Sequence, residues 1–366
     1  MRSARCIAVV VALCMAPWCL RAQEDTLILP FRALTIEDGL SQGMVNAIIQ
    51  DAYGFMWLAT KDGLNRYDGY SFTVFRHDPE DSTTVRNNYI YSLLEDKQGR
   101  LWVGTSEGLD LFDRTTETFR HVRAGEEHIQ DIVQSIAQDG QGDLWVGHTN
   151  GVVKLTFSAG PGNDGLPVCT SRNHLSGTCF VSTDRSGVIW VGQLDLAGFR
   201  IRPEHGGDDR IDTLRLDKPV DRIRTGRAAH DVTGLTVVED TVHNKVYGLF
   251  MYGIVELDPR STSVKTLTQV GIQFGQMRGA NATVDAKGCL WVAVFSGIYR
   301  FDPNARTWSL ALPRDQNLRP LAHLAKCAYR DRNGLIWLGT SGYGAFTYEP
   351  RTSRFNTMNS ESCGRM

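Results

Sequence analysis

The stretch Asp51-Ala-Tyr-Gly54-Phe-Met-Trp57-Leu-Ala-Thr60-Lys-Asp-Gly63-Leu-Asn-Arg-Tyr67-Asp68 decides how the chain is read. An Asp, a Gly three residues on and a Trp three beyond that return at Asp96/Gly99/Trp102, Asp139/Gly142/Trp145, Asp184/Gly187/Trp190, Asp285/Gly288/Trp291 and Asp331/Gly334/Trp337. The Trp residues are 45, 43, 45, 101 and 46 residues apart. The long step holds a weaker copy, in which Tyr247 stands for Trp, Asn244 for Gly, and Thr241, beside Asp240, for Asp. Asn is the residue that best replaces Gly where φ must be positive. The fifth copy therefore keeps the geometry, and there are seven copies.

D-x-x-G-x-x-W reads as a hairpin: Asp opens the turn through its side chain, Gly takes the left-handed position and a strand resumes at the aromatic. A second Gly follows at Gly63, Gly108, Gly151, Gly253 and Gly297, and arrives late, at Gly198 and Gly344, in the fourth and seventh copies. Four residues beyond it stand Tyr67, Phe112, Leu155, Leu257, Phe301 and Tyr348, with Arg202 in the fourth copy. Phe119, Val264, Trp308 and Phe355 sit seven residues further and mark a fourth strand. Val45–Ile49 and Ile90–Leu94 mark the first. Each copy is thus four short strands with almost no helical periodicity.

Four-stranded units of about 45 residues, repeated in series, form a β-propeller. The fold class is all-β, a seven-bladed propeller with blades centred on Trp57, Trp102, Trp145, Trp190, Tyr247, Trp291 and Trp337. These aromatics are read as anchors of the packing between blades. A length prior of two or three domains gives way to one propeller over residues 23–366. Closure leaves a surplus: Phe31–Ile36 and Arg354–Met358 both read as outer strands. Either the leader completes blade seven or it pairs with something else.

At the N-terminus, Arg2 and Arg5 precede an apolar run from Cys6 to Leu20, and Arg21-Ala22 leads into polar sequence. This pattern is a secretory signal peptide over 1–22, and an exported, periplasmic location is expected. The whole chain carries 39 Lys and Arg against 41 Asp and Glu. Without the leader the balance is 36 against 41, which argues against a nucleic-acid partner. Cys169, Cys179, Cys289, Cys327 and Cys363 remain, an odd number. Cys169 and Cys179 flank a loop and are the one pair considered for a disulfide; free thiols are the default. No spacing of Cys or His marks a metal site, and no cofactor is implied.

The first copy, with Thr35-Ile-Glu-Asp-Gly-Leu-Ser-Gln42 before it and Leu64-Asn-Arg-Tyr-Asp-Gly69 after it, closely resembles the two-component regulator propeller family. The resemblance covers about residues 30–358. It implies the periplasmic sensor region of a hybrid histidine kinase, usually followed by a second propeller, an immunoglobulin-like domain, a membrane helix and a kinase core. It also implies detection of glycans or their breakdown products. This chain resembles the sensor portion only, and is expected to be non-catalytic. Its partners would be an oligosaccharide ligand, downstream sensor and kinase domains or a second propeller, and a second copy in a homodimer.

Five residues past each aromatic the second-to-third turn varies: Asp62, Glu107, Asn150, Asp195, Tyr252, Ser296 and Gly342. A solvated turn explains this without selection for a ligand. A binding face explains it too. Phe250, Tyr252, Phe295 and Tyr343 fall on three consecutive blades, and aromatic faces suit sugar rings. Asp195 and Arg200 would add polar partners. The candidate ligand-binding residues are Tyr252, Phe295, Tyr343 and Asp195. Two other functions compete. An exported propeller lyase or glycosidase would need a metal-binding His near the axis or a close carboxylate pair; His148, His230 and His323 are the histidines weighed, and Asp208-Asp209 reads as a solvated turn. The third reading is a protein–protein interaction scaffold.

Overall fold

In the computed structural model the repeated turn is held by its carboxylate. Asp51 Oδ1 accepts the main-chain N–H groups of Tyr53 and Phe55 at 3.0 and 2.9 Å, and Gly54 sits at φ +98°. Asp51 Oδ2 accepts the indole N–H of Trp57 at 2.7 Å. The same indole–carboxylate bond recurs at Asp96/Trp102, Asp139/Trp145, Asp184/Trp190, Asp285/Trp291 and Asp331/Trp337, at 2.7–3.1 Å. Each Asp thus satisfies both the turn and an indole that would otherwise be buried unpaired. In the fifth blade Asp240 takes this place: it accepts from Val242 and His243, and Asn244 adopts φ +54°.

The structure describes residues 25–350 except 125–126, 130, 162–166, 194–197, 205–207, 222–227, 232–234, 251–252, 270–281, 295 and 315–324. The expected leader over 1–22 and the strand around Phe355 lie outside the described residues. The chain forms seven antiparallel blades. Blade one is Val45–Gln50, Met56–Thr60, Gly63–Tyr67 and Phe72–Phe75. Blades two, three and four begin at Ile90–Glu95, Val133–Gln138 and Cys179–Thr183. Blades five, six and seven begin at Thr236–Asp240, Ala282–Val284 and Ala325–Arg330. Each opening strand is an edge of its sheet, and opening strands of consecutive blades lie side by side around the ring.

The leader closes the ring. Arg32–Leu34 pairs antiparallel with Ala345–Thr347 and is the outer strand of blade seven, the first of the two alternatives read from sequence. Just before it, Asp25–Leu29 runs parallel to Ser309–Pro313 as a fifth strand on blade six. One short segment therefore fastens two neighbouring blades. Blade five is also widened, by Arg215–Asp221 and Ala228–Asp231 beyond its fourth strand.

The core is divided among the seven junctions. Trp57 packs with Leu93, Leu101 and Phe112 of blade two, and Trp145 with Val181, Ile189 and Val191 of blade four. Each anchor faces the next blade; Trp190 faces blade five and Tyr247 blade six. Two residues past the aromatic, Gly admits the neighbouring strand: a Cβ on Gly147 would stand 2.7 Å from Cys179 O, and on Gly339 2.8 Å from Val45 O. Such distances are closer than side chains tolerate, so here Gly serves packing.

One register differs from the sequence reading. In blade four Gly198 pairs with Gly192, one position further into the hairpin, so Ile201, not Arg202, fills the buried position opposite Ile189. The longer turn after Gln193 shifted the count by one.

Candidate axial binding site

A strand that opens a blade must turn its edge to the axis while its side chains pack on both neighbours. In four consecutive blades the strand contains a bulge. The register slips between Ala325 and Cys327 in blade seven, Val45 and Ala47 in blade one, Ile90 and Ser92 in blade two, and Val133 and Ser135 in blade three. The extra residues are Lys326, Asn46, Tyr91 and Gln134. A bulge re-aims a side chain and frees it from the ladder. Three of the four, Asn46, Tyr91 and Gln134, line an open-mouthed pocket of about 220 Å³ between the opening strands of blades one to five.

The four residues differ in how they are held. Lys326 Nζ donates to Asn46 Oδ1 at 2.6 Å, and Asn46 Nδ2 donates to Ile90 O at 2.7 Å, linking blades seven, one and two. Tyr91 stacks on Tyr89, with centroids 4.3 Å apart and planes 15° from parallel. The Tyr89 hydroxyl reaches Met44 Sδ, and Lys61 Nζ lies 5.8 Å above its ring. Gln134 is 8% exposed, and among the described residues no group donates to its Oε1. The neighbouring hydroxyls are already engaged: Ser92 Oγ donates to Val133 O, and Ser135 Oγ accepts from Val181 N. Phe180, Ile136 and Leu235 supply apolar wall. Among the described lining residues there is no carboxylate, ammonium or imidazole. The arrangement can grip a neutral polar molecule; it offers no acid–base pair for general catalysis.

Of the four ligand residues expected from sequence, the described residues include one, Tyr343. Tyr343 is 44% exposed on the second-to-third turn of blade seven, and its N–H donates to Thr340 Oγ1. Tyr252, Phe295 and Asp195 lie outside the described residues. Phe250 is not a face residue: it is fully buried between blades four and five, because its position ends a strand of unbroken burial. Arg200 is likewise removed from the ligand set. It is 2% exposed, pairs with Asp212 at 2.7 Å and donates to the carbonyls of Pro259 and Ser261 at 2.8 Å, tying blade four to blade five.

His148 stands where other blades have Thr. It is buried, with Nδ1 3.1 Å from Asp131 Oδ2; burial pushes its pKa down, and Asp131 opposes the shift without cancelling it. His323 and the side chain of His230 lie outside the described residues. Asp208 is exposed, as a solvated turn requires, but Asp209 is buried in a clamp with Lys154 and His174 at 3.0 and 3.2 Å. Cys179 is a free buried thiol, so it does not pair with Cys169; burial pushes it up to about 11. Among the described residues no group of three His, Cys, Asp or Glu side chains is placed to hold a metal ion.

Sequence reasoning missed the bulge residues. Their signal is positional: Asn46, Tyr91, Gln134 and Lys326 each stand five residues before the repeat Asp. In a strand otherwise apolar, a polar or bulky residue at that fixed offset marks the slip.

The two-component regulator propeller family matches residues 39–62, 84–107 and 129–150. A protein named histidine kinase P4, from Formosa agariphila, is 46% identical over 66 residues, covering 18% of this chain and 5% of its own. The solved extracellular domain of a hybrid two-component system from B. thetaiotaomicron superposes with a TM-score of 0.67 at 20% identity, covering 87% of this chain. This chain spans 40% of that domain's length. Virginiamycin B lyase from Staphylococcus aureus superposes with a TM-score of 0.63 at 12% identity, over 87% of this chain and 98% of the lyase. At such identities these structures share the fold.

Proposed function

We propose that this chain, whose repeats at 39–62, 84–107 and 129–150 are two-component regulator propeller repeats, is a ligand-sensing module of a two-component regulatory system. It works outside the cytoplasm and is non-catalytic. Its ligand is a glycan or oligosaccharide. The observation that carries the reading is a closed ring of seven blades, three of which carry the family's repeats, around a pocket fitted with hydrogen-bonding side chains. The extracellular placement draws support from the structural neighbour and from the signal-like leader.

The mechanism is a shift of packing. Ligand favours one arrangement of the propeller against a neighbouring module or a second copy, by no more than its difference in affinity for the two arrangements. Tyr343, with Tyr252, Phe295 and Asp195 on neighbouring turns, forms the outer part of the binding face. Titration calorimetry of the purified chain against an oligosaccharide library tests the reading: at least one glycan binds, and Tyr343→Ala weakens it. No binding to any glycan would sink it. Turnover of a glycan, or of the quinupristin solved with the virginiamycin B lyase, by the same preparation would favour the lyase or glycosidase alternative. Capture of a folded protein partner with no small ligand would favour the scaffold.

A further inference from the structure

We infer that a second pocket, on the face of the repeat turns between blades four and five, binds an oxyanion carrying two or more negative charges, with Arg202 and Arg260 as its contacts. The inference goes beyond the ligand-sensing reading and does not rest on it.

Charge carries it. The third strand of blade four, Gly198–Arg202, and the fourth, Arg210–Thr213, bring Arg200, Arg202 and Arg210 onto the one carboxylate of Asp212, at 2.7, 3.0 and 3.3 Å. The hydrogen bond from Arg200, and then the charges of all three, hold that carboxyl below the usual carboxylate range. Three cations therefore face one anion. Arg200 is buried and commits its other donors to Pro259 O and Ser261 O. Those bonds fasten the turn of blade five that carries Arg260. Arg260 is exposed; its main-chain N–H donates to Asp258 Oδ1, and its guanidinium has no ion pair among the described residues.

The remaining acids do not offset the surplus. Glu239 pairs with Arg185 at 2.7 Å, and Glu256 with Lys245 at 3.1 Å and Lys265 at 3.9 Å. Asp184 holds its own turn and the Trp190 indole, and Asp258 closes the turn at Arg260. In this network seven cations face five carboxylates, in a chain whose total is 39 Lys and Arg against 41 Asp and Glu. Like charges gathered in a concavity repel one another and concentrate counter-ions. Arg202 of blade four and Arg260 of blade five both line a pocket of about 720 Å³, within the ~300–1,000 Å³ typical of small-molecule sites. A guanidinium matches phosphate and carboxylate oxygens through paired N–H donors, and a surplus of two charges suits a ligand with at least two. Bound there, the anion bridges blades four and five at the weakest copy of the repeat, where Tyr247 stands for Trp.

The test is titration calorimetry and thermal unfolding of the full chain with inorganic phosphate, sulfate, glycerol 3-phosphate and citrate. Ionic strength is held constant with sodium chloride, and glycerol serves as the neutral counterpart. At least one of the anions binds with a Kd of about 1 mM or tighter and raises the Tm, and glycerol does not bind. Preference for phosphate, sulfate or glycerol 3-phosphate assigns a phosphate or sulfate ester; preference for citrate assigns a polycarboxylate. Arg260→Gln, at an exposed position, keeps the wild-type Tm without ligand and weakens binding about tenfold or more. Lys287→Gln removes an equal charge from an exposed turn of blade six outside the pocket, and leaves the affinity within about twofold. Absence of binding by every anion would overturn the inference. Equal losses in Arg260→Gln and Lys287→Gln would overturn it too, since the attraction would then be diffuse surface charge. Either result leaves the oligosaccharide titration, and the sensor reading it tests, untouched.

Discussion

Replacing Asp139 by Asn tests whether the repeat carboxylate is one device serving both turn and core. Asp139 is fully buried. Its Oδ1 accepts Gln141 N at 2.9 Å and Asp143 N at 3.0 Å, and its Oδ2 accepts Trp145 Nε1 at 2.9 Å. Among the described residues no cation pairs with this carboxylate, unlike those of Asp51, Asp96 and Asp285. Asn offers one acceptor oxygen to donors that stand on two sides. In either amide orientation an N–H faces an N–H. A hydrogen bond to a charged group contributes about 1.5–3 kcal/mol, and the orphaned partner costs about 1–3 kcal/mol more. Asp139→Asn should therefore lose about 2–4 kcal/mol. Trp145→Phe, which strands the Oδ2 oxygen, should lose about the same, including a small cavity term. In the double variant an amide N–H faces a ring that no longer donates, so the losses should overlap by about 1–2 kcal/mol. Urea unfolding followed by far-ultraviolet circular dichroism measures all four corners. Losses that add to within about 0.5 kcal/mol would show that turn and indole are served independently, and would refute the reasoning.

Further outcomes follow from the same geometry. Phe31, buried beside Phe346 and Tyr348 at centroid distances of 6.1 and 5.6 Å, anchors the closing segment. Phe31→Ala should cost about 3–5 kcal/mol and raise amide exchange in Ala345–Tyr348 before other blades; uniform exchange would contradict closure by the leader. Phe250→Ala should cost a similar amount, whereas Tyr343→Ala should change stability by under about 0.5 kcal/mol, a contrast readable in one denaturation series. His148 resists protonation in the folded chain, while the unfolded chain titrates at the ordinary 6.5. The unfolded state therefore binds more protons just below that value, so this contribution is present above it and lost as pH falls through the lower folded pKa. His148→Thr, matching Thr60 and Thr105, should flatten the stability–pH curve from the ordinary 6.5 downward; an unchanged slope would assign the loss to other groups.

The ring was legible in the sequence because its turns are written in residues with few substitutes. Gly54 and Asn244 are required by positive φ, and the repeat Asp by the donors it collects. Their spacing survives even where Tyr247 replaces Trp. Closure was legible only as an ambiguity, because the pairing of Arg32–Leu34 with Ala345–Thr347 spans more than 300 residues and leaves no local pattern. The parallel strand Asp25–Leu29 was not seen at all, since Leu27-Ile28-Leu29 is a short apolar run without alternation or a repeat motif. Two residues weighed for the binding face, Phe250 and Arg200, turn out buried for a related reason. Their place near a turn fixes only their height in the strand. Which side a residue faces alternates with each step, and both face a blade junction.

The bulge positions escape those constraints, and this bears on where the molecule acquires specificity. Within a repeat, the Asp is committed to its turn and the aromatic to the next blade. The Gly two residues on is committed to the close approach of a strand, and Thr60, Thr105 and Thr340 to closing a second turn on Gly63, Gly108 and Gly344. A substitution at any of these destabilises a junction, so none is free to follow a ligand. The bulged residue is different. It sits at the axis, held in place by the ladder on both sides, while contributing no pair to it. Its side chain can change from Asn to Tyr to Gln to Lys, as it does between blades seven and three, without altering the scaffold. Four such positions lie on adjacent blades, and three of them line one pocket, so a composite site can vary residue by residue at little cost in stability.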